Sequence, residues 1–105
     1  MVRFDESAHG RQANFHVGDL FEICLAETRT TGFKWVVESG GEPECALASE
    51  SADAPAGPAG RAGTHVWQFR AAQVGTATIV LHSRRAWETG TAPGRVFQIQ
   101  VIVTE

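Results

Sequence analysis

The stretch Arg95-Val96-Phe97-Gln98-Ile99-Gln100-Val101-Ile102-Val103-Thr104 decides the fold. Phe97, Ile99, Val101 and Val103 fall on one side of it, and Gln98, Gln100 and Ile102 on the other. This period of two residues places successive side chains on opposite faces of a strand. A helix would scatter the same four apolar residues around its circumference. One face of the strand is therefore expected to be buried and the other to meet a polar environment.

The same alternation recurs upstream. Thr64 to Ala71 sets Trp67, Phe69 and Ala71 against Val66, Gln68 and Arg70. After the turn Gln73-Val74-Gly75, Thr76 to Ser83 points Ile79 and Leu81 inward, and these two runs read as consecutive antiparallel strands. Further back, Phe33 to Val37 opposes Phe33, Trp35 and Val37 to Lys34 and Val36, with Trp35 as a core anchor. Leu20 to Ala26 places Phe21, Ile23 and Leu25 on the face opposite Glu22. Gln12 to Val17 is the first strand and ends in the turn Val17-Gly18-Asp19. Glu44 to Ser51 is ambiguous: Ala46, Ala48 and Glu50 favour helix, but its length and surroundings favour strand, which we prefer.

About seven to eight strands, punctuated by Gly, Pro, Asp, Ser and Thr, point to an all-β, immunoglobulin-like antiparallel β-sandwich. Cys24 and Cys45 lie too close in sequence to be the inter-sheet pair of an antibody domain, and two unlinked thiols are expected.

Composition agrees with this reading. Apolar residues make up 43% of the 105 residues and charged residues 20%, which suits a single domain over 1–105 with one core. The net charge is −3 and the nine Lys and Arg residues are scattered, so no nucleic acid partner is expected. No apolar run approaches the ~20 residues needed to span a bilayer, and no membrane partner is expected. The start, Met1 to Glu6, lacks the apolar stretch of a signal peptide. Cytoplasmic location follows by default, periplasmic or secreted if a leader has been removed. A monomer without cofactor or metal is anticipated.

In a sandwich every second connection emerges at the same end, so loops at 27–32, 55–63 and 84–94 can form one surface. The first holds Thr28-Arg29-Thr30-Thr31-Gly32-Phe33, small hydroxyl residues beside a glycine, a composition shared with ordinary turns. The second belongs to the Pro- and Gly-rich stretch Ser51 to Gly63 and runs through Gly60-Arg61-Ala62-Gly63-Thr64. It lacks the Lys-Ser/Thr ending of a phosphate loop and leads into a strand instead of a helix, so a hairpin able to pair with an extended partner fits better. The third places Trp87 behind Arg84-Arg85-Ala86, in a polar context where core burial is hard to arrange. Trp beside Arg is a pairing enriched among interface hot spots.

Thr30-Thr31-Gly32-Phe33 with Trp35, then Gly60 to Gly63, Phe69, Gly75-Thr76 with Ile79 and Leu81, and Arg85-Ala86-Trp87 follow one another in an order and spacing that resembles the chagasin family, protein inhibitors of papain-like cysteine proteases. The resemblance runs from the second strand onward. It implies a reversible, substrate-competitive inhibitor whose three loops form a wedge in the protease cleft. Thr30, Thr31, Gly32 and Phe33 would sit over the catalytic centre. Gly60, Arg61, Ala62, Gly63 and Thr64 would lie on the non-primed side, and Trp87, supported by Arg85 and Ala86, on the primed side. The chain departs from the family in having Thr28-Arg29 where Asn-Pro is usual, and Ala86 where Arg-Pro-Trp has its proline. Both departures remove a residue that would stiffen a loop. Arg61-Ala62 also replaces smaller residues, placing a charge near the non-primed subsites.

Other readings use other residues. An enzyme would need Cys24 or Cys45 as nucleophile with His9, His16, His65 or His82 as base. A metal site would use His65 and His82 from neighbouring strands. A sandwich of the same ancestry with drifted loops would bind another protein or a surface ligand without inhibiting a protease.

Overall fold

The computed structural model describes residues 2–27, 33–53, 63–85 and 95–105. Eight strands lie in two four-stranded sheets. They are β1 (Val2–Phe4), β2 (Gln12–His16), β3 (Leu20–Glu27), β4 (Phe33–Gly40), β5 (Cys45–Asp53), β6 (Gly63–Ala71), β7 (Gly75–Arg85) and β8 (Arg95–Thr104). The first sheet runs in the order β1-β3-β6-β5 and the second β2-β8-β7-β4. The sandwich expected from alternation is thus observed, and β8 spans the very residues whose pattern announced it.

The core is the set of inward positions that the period of two selects. Phe21, Ile23 and Leu25 of β3, Trp67, Phe69 and Ala71 of β6, Ile79 and Leu81 of β7, and Phe97, Ile99, Val101 and Val103 of β8 are all buried. Phe15 of β2 stacks on Phe21 across the two sheets at 4.5 Å between ring centroids, and Phe21 stacks on Phe69 at 5.6 Å. Phe4 meets Phe15 and Phe21 edge-on, a favourable arrangement for aromatic quadrupoles.

Two features differ from the sequence-based expectation. Two pairings at the sheet edges are parallel, β1 with β3 and β2 with β8, so the sheets are mixed. A 3-10 helix, Glu6–Ala8, lies between these two short strands and leads the chain from one sheet to the other. The Asp5 carboxylate caps it by accepting from the Ser7 backbone N–H at 2.9 Å, and from the Ser7 hydroxyl.

Secondly, β6 and β7 are consecutive but do not pair: β6 lies between β3 and β5, β7 between β8 and β4. The N–H groups of Ala72 and Gln73, in the turn between them, donate to the Glu44 carbonyl at 2.8 and 3.2 Å. The turn is therefore fastened to the lead-in of β5 instead of closing a hairpin. His65 and His82 consequently stand in different sheets, each beside a glutamate of its own sheet: His65 with Glu50 at 2.7 Å and His82 with Glu38 at 3.4 Å.

The ambiguous segment is a strand, as preferred: β5, nine residues long. It and β4 are edge strands, and each carries a register shift, at Leu47/Ser49 and at Val37/Ser39. Such bulges twist an edge away from further pairing.

Candidate functional site

Three loops were expected to act together, at 27–32, 55–63 and 84–94; the segments between the described strand ends are 28–32 from β3 to β4, 54–62 from β5 to β6, and 86–94 from β7 to β8. Thr30, Thr31, Gly32, Gly60, Arg61, Ala62, Ala86 and Trp87 lie outside the described residues. Their flanking strand ends are described, and four expected site residues stand on them. Phe33 opens β4, Gly63 and Thr64 open β6, and Arg85 ends β7. The strands reach slightly further than expected, taking in Glu27, Ala52 and Asp53, Gly63, Arg84 and Arg85.

Register brings these ends together. In the first sheet Glu27 at the end of β3 pairs with Gly63 at the start of β6, and Thr64 pairs with Asp53 at the end of β5. In the second, Phe33 pairs with Arg85, and Arg95 at the start of β8 pairs with Ser83. Every strand end that borders the three segments therefore lies at one end of the sandwich.

Side chains join the two sheets there. Trp35, 3% exposed, directs its indole N–H to the Ala26 carbonyl at 2.9 Å. Arg95 donates from Nη2 to the same carbonyl at 3.1 Å, lies over the Trp35 ring at 5.0 Å from its centroid, and forms an ion pair from Nη1 with Glu6 at 2.6 Å. The carbonyl of Ala26 belongs to β3, Trp35 to β4 and Arg95 to β8, so one cluster spans both sheets.

A second cluster joins β5 and β6. The His65 ring stacks on Trp67 at 4.0 Å with an interplanar angle of 6°, and its Nε2 faces Glu50 of β5. Sequence reasoning missed Arg95, Glu6, Ala26 and the His65–Glu50 pair. Arg95 has a weak local signal as a charged residue opening an alternating strand, but its partners lie 69 and 89 residues away.

The thiols are poorly suited to nucleophilic chemistry. Burial raises the Cys24 thiol above its ordinary value and pushes the fully buried Cys45 up to about 11. Reactive cysteines require the opposite shift. Both cysteines are free, on strands separated by β6. Among the described residues no group of three or more His, Cys, Asp or Glu is arranged to hold a metal ion. No helix is long and apolar enough to cross a membrane among those residues.

A family model described as chagasin family peptidase inhibitor I42 matches residues 14–101, a span that includes all three segments. The crystal structure of the cysteine protease inhibitor EhICP2 from Entamoeba histolytica is similar with a TM-score of 0.88 at 25% identity, covering 98% of this chain and 95% of that one. The solution structure of amebosin is similar with a TM-score of 0.78 at 30% identity, covering 98% and 97%. PbICP-C, solved in complex with falcipain-2, shares 15% identity and shows the fold alone, with a TM-score of 0.70 over 99% of this chain and 100% of that one. No curated protein sequence matches the chain.

Proposed function

Because this chain belongs to the chagasin family of peptidase inhibitors, we propose that it is a reversible, substrate-competitive inhibitor of papain-like cysteine proteases that acts through three segments at one end of its sandwich. Its role is inhibition and not catalysis. The match over residues 14–101 carries the reading, since it spans Thr30 to Phe33, Gly60 to Thr64 and Arg85 to Trp87 in one alignment. It also favours inhibition over a sandwich that binds an unrelated surface ligand.

On this reading Thr30, Thr31, Gly32 and Phe33 cover the catalytic centre of the protease. Gly60, Arg61, Ala62, Gly63 and Thr64 lie along the non-primed side as an added strand, where backbone pairing gives affinity with little demand on side chains. Trp87, flanked by Arg85 and Ala86, packs on the primed side as the aromatic anchor. The inhibitor escapes cleavage when its loops cross the cleft without presenting a scissile carbonyl in a near-attack position. The convergence of the flanking strand ends supports this arrangement, because a rigid scaffold lowers the ordering cost of binding.

Titration into papain with a fluorogenic peptide substrate tests it. Dose-dependent competitive inhibition is expected, with Thr31→Asp and Trp87→Ala each weakening it roughly 30-fold or more, as loss of a hot spot does. Absence of inhibition at micromolar protein, or variants as potent as the wild type, would overturn the proposal.

A further inference from the structure

Arg95 holds three contacts with one planar group. Nη1 meets Glu6 of the 3-10 helix, Nη2 meets the Ala26 carbonyl one residue before the end of β3, and the guanidinium lies over Trp35 near the start of β4. Arg95 itself is the first residue of β8. In the chain, segment 28–32 runs from β3, which carries Ala26, to β4, which carries Trp35, and segment 86–94 leads into Arg95. The guanidinium thus joins the root of one segment to the root of another, across the gap between the sheets.

The local energetics argue against a role in fold stability. The side chains of Arg95 and Glu6 are 49% and 43% exposed, a setting in which an ion pair adds little to folding. The Ala26 carbonyl keeps a second donor in Trp35 Nε1, so it is not orphaned when the guanidinium leaves. The geometry nonetheless demands arginine. A lysine ammonium has no planar fork to serve a carboxylate and a carbonyl while its face covers an indole.

We propose that Arg95 is a positioning residue for inhibition: it fixes the described ends of β3, β4 and β8, from which the 28–32 and 86–94 segments depart, and contributes affinity by holding these roots without touching the protease. This rests on the inhibitor reading above. Glu6 orients Arg95, so a residue of the N-terminal 3-10 helix influences binding through it. Pre-organisation removes an ordering cost and is felt mainly in dissociation. A direct charge contact with the protease would instead act on association and depend steeply on salt.

The test compares wild type, Arg95→Lys, Glu6→Gln and the double variant against papain, with association and dissociation rates at two salt concentrations and thermal melting of each inhibitor alone. Expected for Arg95→Lys is roughly tenfold weaker inhibition through faster dissociation, at both salt concentrations. Its melting temperature should stay within about 5 °C of wild type. Glu6→Gln should weaken inhibition in the same direction, and its effect should be lost in the Arg95→Lys background. Unchanged potency in Arg95→Lys would overturn the proposal. So would a salt-dependent loss confined to association, or a larger fall in melting temperature that tracks the loss of potency. A wild-type protein that fails to inhibit would sink the inhibitor reading itself, an outcome distinct from an active wild type with an indifferent Arg95.

Discussion

Among the described residues, the two ends of the sandwich show different bonds between their elements. At the end away from the three segments, the described turns are fastened by backbone groups. Gly18 N–H donates to the Ala71 carbonyl at 2.8 Å, Ala71 N–H to Asp19 at 2.9 Å, Ala72 N–H to Glu44 at 2.8 Å and Cys45 N–H to Gly41 at 2.8 Å. At the opposite end the connecting segments lie outside the described residues, and there, beside the strand ladders, side chains link the elements: Trp35 and Arg95 to Ala26, Arg95 to Glu6, and His65 to Glu50. Backbone bonds persist under most substitutions, whereas side-chain bonds change with each one. Turns held by backbone at one end keep their bonds while residues at the other end are substituted. That is the division of labour expected of a scaffold that presents binding segments.

The largest effect should come from breaking the backbone-closed end. Gly41 has φ +75°, and a Cβ there would lie 3.2 Å from both Ala77 Cβ and Ile79 Cγ1 and 3.3 Å from Cys45 Cβ. Left-handed backbone and crowding act together, so Gly41→Ala should destabilise by about 2–4 kcal/mol. Urea unfolding should show a lower midpoint with unchanged slope. Inhibition measured where the variant is still folded should match wild type. A variant as stable as wild type would show that this end yields easily and would break the comparison.

Cys45 sharpens the same end through pH. Its thiol is pushed from an ordinary value of 9.0 to about 11 by burial, with the Glu44 carboxylate adding to the shift. A raised thiol stabilises the fold fully below about pH 9, because both states then hold the proton. As pH rises toward 11 the unfolded chain releases its proton while the folded one retains it, and stability falls. The loss should be on the order of 2 kcal/mol. Burial shifts Cys24 in the same direction. Urea unfolding between pH 8 and 11 should therefore show a steeper decline for wild type than for Cys45→Ala, whatever that variant costs at pH 7. Parallel curves would mean that the thiol is not held in the apolar interior the fold assigns to it.

How legible each end was in the sequence follows from the same chemistry. Inward and outward faces could be read because alternation encodes them residue by residue, as in Phe97 to Val103. The sheet to which each strand belongs could not: Trp67 and Ile79 follow the same rule in opposite sheets. β1 escaped notice because Val2 to Phe4 is too short to alternate, and only its register against Phe21 to Ile23 makes it a strand. The motifs Thr30 to Phe33, Gly60 to Thr64 and Arg85 to Trp87 were visible as local strings with an order. The node beneath them was not, since Glu6, Ala26, Trp35 and Arg95 meet only through folding and share no spacing. His65 and His82 follow one another on successive strands in the sequence, yet they stand in different sheets.

The smallest expected effect lies at the side-chain-closed end, and it decides whether that end is as separable from the core as the comparison holds. Trp35→Phe deletes the indole N–H bond to Ala26 but keeps an aromatic ring in the same strand position. The Ala26 carbonyl still accepts from Arg95 Nη2, so no buried acceptor is left without a donor. The cost should be about 1–2 kcal/mol, the net value of one hydrogen bond plus a small cavity. Urea unfolding should place it clearly below the cost of Gly41→Ala. If Trp35→Phe proves the more damaging of the two, the bond to Ala26 belongs to the structural core and not to the presentation of segment 28–32. The side chains at this end would then be as fixed as the backbone at the other, and variation in the three segments would have to stop short of their roots.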